Sequence, residues 1–568
     1  MGTRSIAEWS ERFDPQAIGV DHLGMRVAGE RAYSELLDFT TTVTWRPRYL
    51  SFLCWMLERA FVEAGGRRGA TTEYTVDWTR YRQARKRGER VIAAASVLTD
   101  ETALRIIGYN SVSRALQAAR EQGMQLLLMN DSNLASVPES FATYAGPLMR
   151  LGLLEVDPKF SRPTATRGLE LAKAFARSLA ADGGQALPLF SSEELPLKAL
   201  QALGERCGLN QLTEAAKRFP EVAAEREALR ETILDWESFQ GGTGPSARRI
   251  LSIGIILALH RLPPVSAEAP LELAHFRQAT LLDGVLYGGA SLPFSLPAVY
   301  APVLASWRLY QAHAYVTYAC EALLGLVLAQ AQHFESQASA GMPLSRLTAV
   351  FLKNIRAGAR AEATPPRLDS WWECSLEALM PRLHEVVVQG RSSRLTETEL
   401  LENLWRTARS QELADFKLWA HDAALMLLLS LARVKHLLVV HGPSAWLGDR
   451  ESARLPPECL VRDLEAACAG GQKVEEFLDG WLRGRIIAQH QRNALRKLAA
   501  DPRKDTTRFE LAGDRLLALE GHEPGTSNPR FSNAVLFLQD LGFLTAEKVA
   551  RPTPAGEELL ARIEREAT

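Results

Sequence analysis

Apolar residues along this 568-residue chain recur mostly at three- and four-residue spacing, the period that gathers them on one face of an α-helix. Glu221 to Leu234, Ala301 to Leu328 and Leu400 to Val440 carry the pattern over the greatest lengths, and each is predicted as an amphipathic or buried helix. Strand-like alternation is confined to short pieces. The expected class is therefore mainly α, a multidomain helical protein with small β-hairpins. Two apolar runs invite comparison with membrane spans. Ile250 to Leu259 is too short, and Ala423 to Val440 is interrupted by Arg433, Lys435 and His436. Both read as buried helices, and no membrane contact is expected.

Turn-forming residues punctuate the helical pattern at Ala181–Gly184, Phe239–Pro245, Leu262–Pro264, Ala361–Arg367 and His441–Pro443. A chain of this length exceeds one hydrophobic core. The breaks suggest an N-terminal helical region over 1–180, a helical middle over 181–440 and a C-terminal region over 441–568.

One pattern occurs twice. Leu151-Gly152-Leu153-Leu154 is followed by a polar stretch, then Arg162-Pro163-Thr164, Gly168 and Leu171; Leu541-Gly542-Phe543-Leu544 is followed by Arg551-Pro552-Thr553, Gly556 and Leu559. A helix that stops at glycine, a short strand, a turn, a return strand and a helix capped near threonine account for this order. The succession resembles the winged-helix fold, in units at about 136–180 and 505–568. In DNA-binding versions the helix before Leu-Gly reads bases and the wing touches phosphates. The cations so placed are Lys159 and Arg162 in the first copy, and Arg530, Lys548 and Arg551 in the second. Polar positions on the two preceding helices are Ser140, Thr143, Tyr144 and Arg150, then Asn533, Gln539 and Asp540.

Charge changes the picture locally rather than globally. There are 66 basic and 67 acidic side chains, a net charge of −1, so nucleic-acid contact has to come from patches. Two runs qualify. Arg80, Arg82, Arg85, Lys86, Arg87 and Arg90 lie beside Trp78 and Tyr81, and Arg483, Arg485, Arg492, Arg496 and Lys497 follow Trp481 with no acid between them. Basic and aromatic side chains together track a phosphate backbone and stack on bases. The alternative is two solvated helix faces.

Patterns that carry reaction chemistry are sparse in the chain. The six cysteines are scattered and the closest pair is nine residues apart, which points to reduced thiols. With a polar stretch at Met1–Asp14, this suggests a cytoplasmic protein. No metal motif appears among the eleven histidines, and Gly241–Ser246 lacks the lysine of a phosphate loop. Neither a metal nor a cofactor is expected. Arg485 and His490 have the spacing R-x-x-x-x-H, which resembles the active site of HEPN-type ribonucleases; there the arginine stabilises phosphate charge and the histidine assists cleavage. Arg308 and His313 share that spacing.

Thr41, Thr44, Arg46, Arg48, Tyr49 and Trp55 form the pattern T-x-x-T-x-R-x-R-Y-x-x-x-x-x-W. It resembles a stretch near the start of large helical proteins of bacterial anti-phage defence loci, as do His490–Leu498 and Asp505–Phe509. The resemblance implies a role in a defence complex with partners such as a nuclease or a helicase, and it assigns no catalytic residue. Three readings follow: a non-catalytic subunit that binds DNA or RNA and scaffolds other proteins, a ribonuclease using Arg485 and His490, and a purely structural adaptor. Arg46 and Arg48 themselves could bind an anion or bond neighbouring carboxylates, and the second is the expectation.

Overall fold

Helices form where the apolar spacing predicts them. The computed structural model describes residues 21–67, 76–100, 105–156, 161–181, 184–239, 244–263, 270–287, 290–338, 341–361, 370–389, 396–410, 412–501, 505–525 and 530–566, and it is mainly helical. Two compact units are assembled from non-contiguous stretches. One comprises Met1–Tyr33, Leu273–Ser295 and Ala301–Pro529; the other comprises Ser34–Glu272, Leu296–Tyr300 and Arg530–Thr568.

The first unit is built round two long helices, Ala301–Ala338 and Phe416–His441, which pack on each other. Leu344–Ala361, Leu376–Gln389 and Glu397–Ser410 pack on Phe416–His441 as well. By length and apolar composition both long helices would be able to cross a membrane, yet here they are the core of the unit. Their polar residues are bonded inward: buried Arg433 donates to both carboxylate oxygens of Glu397 and to the Val387 carbonyl. The stretch expected as one helix over Leu400–Val440 is two helices, because the chain turns at 412–415 and Glu397–Ser410 folds back against Phe416–His441. A three-stranded antiparallel sheet, ordered Met342–Pro343, Arg515–Ala518, Phe509–Ala512, also belongs to this unit.

In the second unit, Arg48–Glu63 and Pro220–Leu234 flank Arg167–Ala180, while Trp78–Thr99 packs on Leu197–Cys207. A fully buried ion pair joins Arg48–Glu63 to Pro220–Leu234. Arg48 donates to both oxygens of Glu225, at 3.1 and 2.7 Å, and to the Arg206 and Gly208 carbonyls, and Ser51 donates to Glu225 at 2.6 Å. Arg46 pairs with Asp540 at 2.9 Å. Both arginines thus bond carboxylates, as expected. Leaving one partner of such a buried pair alone costs about 3–5 kcal/mol.

The repeated pattern becomes a repeated geometry in this unit. Helices Ser140–Arg150 and Phe531–Asp540 end at Gly152 and Gly542, whose φ angles of 68° and 73° suit glycine. The next residue closes each end by donating to the helix, Leu153 to the Leu148 carbonyl and Phe543 to the Leu538 carbonyl, both at 2.8 Å. Leu154 then pairs with Pro163, and Leu544 with Pro552. The threonine hydroxyls make matching bonds: Thr164 donates to Gly152 and accepts from Gly168, and Thr553 donates to Gly542 and accepts from Gly556. A Cβ on Gly168 or Gly556 would lie 2.2 Å from the Leu153 or Phe543 carbonyl oxygen. The copies differ at the helix entry. Thr553 directly precedes helix Pro554–Glu566, whereas Ala165 and Thr166 stand between Thr164 and helix Arg167–Ala180.

Candidate nucleic-acid interface

The C-terminal basic run lies on a nearly continuous helical segment of the first unit: Val474–Trp481, a π-helical stretch Leu482–Ile487, then Ala488–Ala500. Its buried face is both apolar and amide-rich, with Leu478, Trp481, Leu482, Ile486, Gln489, His490, Asn493 and Ala494. The amides secure the segment just after residue 20. Gln489 donates to the Leu23 carbonyl at 3.0 Å, and Asn493 donates to the Asp21 and His22 carbonyls at 2.6 and 3.1 Å.

The same amides face outward with their oxygens. Gln489 Oε1 accepts from Arg492 at 3.0 Å, and Asn493 Oδ1 accepts from Arg496 at 2.7 Å. Arg485 is held by Asp463, with Nε to Oδ2 at 2.7 Å. These three arginines, with Arg462, Asp463 and Cys459 from helix Pro457–Ala469 and with Ser452, line a cleft of about 480 Å³. Four guanidinium groups therefore share a lining with one carboxylate, and three of the four are anchored on one side by their own protein. Such an arrangement suits a phosphate, whose oxygens accept paired N–H bonds from a guanidinium. π-helical turns recur at functional sites, and this one lies where Arg485 enters the cleft.

The remaining members of the run go elsewhere. Arg483 bonds Asp479 and the Thr348 hydroxyl, and Lys497 donates to the Asp21 carbonyl. His490 does not join Arg485 in the cleft. It is fully buried, its Nδ1 donates to the His22 carbonyl at 3.2 Å, and its Nε2 accepts the Arg508 backbone N–H at 3.1 Å. Burial pushes its pKa down to about 3, against the His22 hydrogen bond. Both ring nitrogens are committed. The second R-x-x-x-x-H pair also separates: Arg308 bonds Asp283, and buried His313 bonds the Leu455 carbonyl.

The N-terminal basic run lies on helix Trp78–Thr99 of the other unit, capped by the Asp77 carboxylate. Arg85 pairs with Glu139 and Glu89, Lys86 with Glu139 at 2.8 Å, and Arg87 with Glu193 at 2.5 Å; Arg90 donates to the Ala135 carbonyl. Arg80 and Arg82 are exposed. Tyr81 is buried, and its hydroxyl donates to the Ser161 carbonyl at 2.6 Å, so its ring offers no platform for a base.

On the helices before the two Leu-Gly pairs Arg150 is exposed, and the other polar side chains named above mostly turn inward. Ser140 donates to Glu89; the Tyr144 hydroxyl accepts from the Trp45 and Arg46 amides; Asn533 donates to the Thr41 carbonyl; Gln539 donates to the Thr545 carbonyl. Arg530 is buried, donating to the Leu37 and Thr40 carbonyls and the Ser34 hydroxyl. Arg162 pairs with Glu155, Lys548 and Arg551 are exposed, and Lys159 lies outside the described residues. Among the described residues no group of three metal-ligating side chains occurs.

Sequence reasoning found Arg485, Arg492 and Arg496 but missed Arg462, Asp463, Gln489 and Asn493. A signal for two of these was present: Gln489-x-x-Arg492 and Asn493-x-x-Arg496 repeat an amide–arginine pair after four residues. No protein-family model, curated protein or solved structure matches the chain.

Proposed function

We propose that this chain is a non-catalytic subunit of a cytoplasmic bacterial anti-phage defence assembly, binding nucleic acid and scaffolding partner proteins such as a nuclease or a helicase. The observation that carries the nucleic-acid part is the cleft formed by Arg462, Arg485, Arg492 and Arg496, with three of its arginines oriented by Asp463, Gln489 and Asn493. The defence part rests on the motif resemblance at Thr41–Trp55, His490–Leu498 and Asp505–Phe509.

In this reading the two helix–hairpin–helix units are winged-helix modules used for packing. What supports it is that Ser140, Tyr144, Asn533, Asp540 and Arg530 are buried and bonded within their own unit. The ribonuclease alternative gains no support from a His490 that is buried and bonded at both nitrogens.

A gel-shift titration with mixed-sequence DNA and RNA tests the reading. The wild-type chain is expected to shift at least one of them, and the double variant Arg492→Glu, Arg496→Glu to shift neither. Absence of any shift by the wild type would leave the adaptor reading in its place.

A further inference from the structure

We infer that the arginine cleft takes the terminal phosphate monoester of a nucleic-acid strand in preference to an internal phosphodiester, an inference that rests on the nucleic-acid reading above. Size is the first argument. A cleft of about 480 Å³ falls within the roughly 300–1,000 Å³ of small-ligand sites and holds about one nucleotide. Sites that follow a strand occupy about 4–16 nucleotides.

The lining is the second argument. Ser452, Cys459, Arg462, Asp463, Arg485 and the Gln489–Arg496 face contain no aromatic side chain. Strand-tracking grooves gain about 1–3 kcal/mol per base from stacking on aromatic rings, and this cleft has none to offer. Recognition therefore falls on the phosphate.

Charge and geometry are the third. A terminal monoester carries about −1.5 to −2 and presents three acceptor oxygens, against a single negative charge for each internal phosphate. Arg485 is held by Asp463 through Nε and Nη2, and Arg492 and Arg496 are each held through Nη2 by Gln489 or Asn493, with Glu451 3.7 Å from Nη1 of Arg496. This fixes the forks, and the N–H groups that remain are placed to meet those oxygens.

Fluorescence anisotropy with one single-stranded sequence bearing a 5′-phosphate, a 3′-phosphate or hydroxyls at both ends tests this, with a nucleoside monophosphate as competitor. One phosphorylated end is expected to bind about tenfold more tightly than the hydroxyl strand, and the mononucleotide to erase that difference. The variant Arg492→Lys, Arg496→Lys keeps the charge and removes the forks; it should bind the phosphorylated and hydroxyl strands with equal affinity. Equal wild-type affinity for all three strands overturns the inference and leaves nucleic-acid binding intact. A preference that survives in the lysine variant overturns it as well. Failure to bind any strand overturns the broader reading. The wild-type measurements decide the matter even where the variant is poorly folded.

Discussion

The run Arg80–Arg90 has six cations and the run Arg483–Lys497 has five, and each begins beside a tryptophan, yet the fold uses them differently. Glu139 alone bonds both Arg85 and Lys86, Glu193 takes Arg87, and a carbonyl takes Arg90. In the second run the side chains that accept hydrogen bonds from Arg492 and Arg496 are neutral amides, and Glu451 stands 3.7 Å from Arg496. A bonded carboxylate neutralises an arginine, whereas an amide oxygen only aims it. Arg85, Lys86, Arg87 and Arg90 of the first run are held as structure. In the second, Arg483 and Arg485 also pair with carboxylates, Asp479 and Asp463, which leaves Arg492 and Arg496 as the members aimed by amides. Basic composition therefore says little about binding until the identity of each partner is known.

The largest effect that separates the runs is on stability. Glu89 is buried, accepts from the Ser140 amide and hydroxyl, and lies 3.5 Å from Arg85. Glu89→Ala should destabilise its unit by about 3 kcal/mol, because it strands buried donors. Arg492→Ala, at an exposed position, should change stability by less than about 0.5 kcal/mol. Thermal unfolding of the two variants measures the difference, and equal midpoints would erase the distinction drawn here.

Binding should show the reverse order. Arg492→Glu with Arg496→Glu should weaken nucleic-acid affinity by about 30-fold or more at moderate salt, and Arg80→Glu with Arg82→Glu by less than about threefold. Comparable losses in the two double variants would place the interface on both runs.

The first run can also be released deliberately. Burial tends to raise the Glu139 pKa, but the Lys86 hydrogen bond and the charges of Arg85, Lys86 and Arg82 outweigh it and hold the carboxyl below its ordinary value of 4.5. A depressed carboxyl contributes stability above its unfolded pKa and loses it as pH falls through the lower folded value. Glu139 therefore stays charged from about pH 8 to about pH 5, and acidification across that range does not free Arg85 or Lys86. Glu139→Gln should free Lys86 at every pH, while Arg85 keeps its pairing with Glu89. In the Arg492→Glu, Arg496→Glu background it should restore about threefold of the lost affinity, and the gain should be flat across that pH window. A gain that appears only in acid would contradict the assigned partner.

Much of this was legible in the chain, and the reason for each failure is specific. Helical class followed from spacing, and the twice-used Leu-Gly…Arg-Pro-Thr…Gly pattern corresponds to matching glycine, strand-pair and threonine geometry, because every one of its contacts is local. Arg485, Arg492 and Arg496 were legible as one helix face. The neutralisation of Arg85 and Arg87 was not, since Glu139 and Glu193 lie far along the chain. Arg530 looked like a groove-facing cation at the start of its helix. Its φ of 62° and three oxygen acceptors from Ser34, Leu37 and Thr40 depend on tertiary packing, and no sequence period encodes them. The burial of His490 was not legible for a related reason: the π-helical stretch and the Asp21–Gly24 segment decide which way it faces.

The smallest effect distinguishes aiming a charge from supplying it. Arg496→Ala removes a cation, so both the affinity and its salt dependence should fall, the slope of log affinity against log salt by about 0.7 for a single strand. Asn493→Ala leaves every cation in place and deletes only the amide that orients Arg496. It should cost about threefold in affinity with the slope unchanged, since salt dependence counts the phosphates neutralised and not the geometry of each contact. Asn493 also bonds the Asp21 and His22 carbonyls, so the measurement belongs in the cold, well below the lowered unfolding midpoint. A slope that falls together with the affinity would mean that Asn493 holds Arg496 in the cleft at all. An unchanged affinity would mean that Arg496 finds its phosphate without help, and the contrast between a neutralising carboxylate and an aiming amide would then reduce to charge alone.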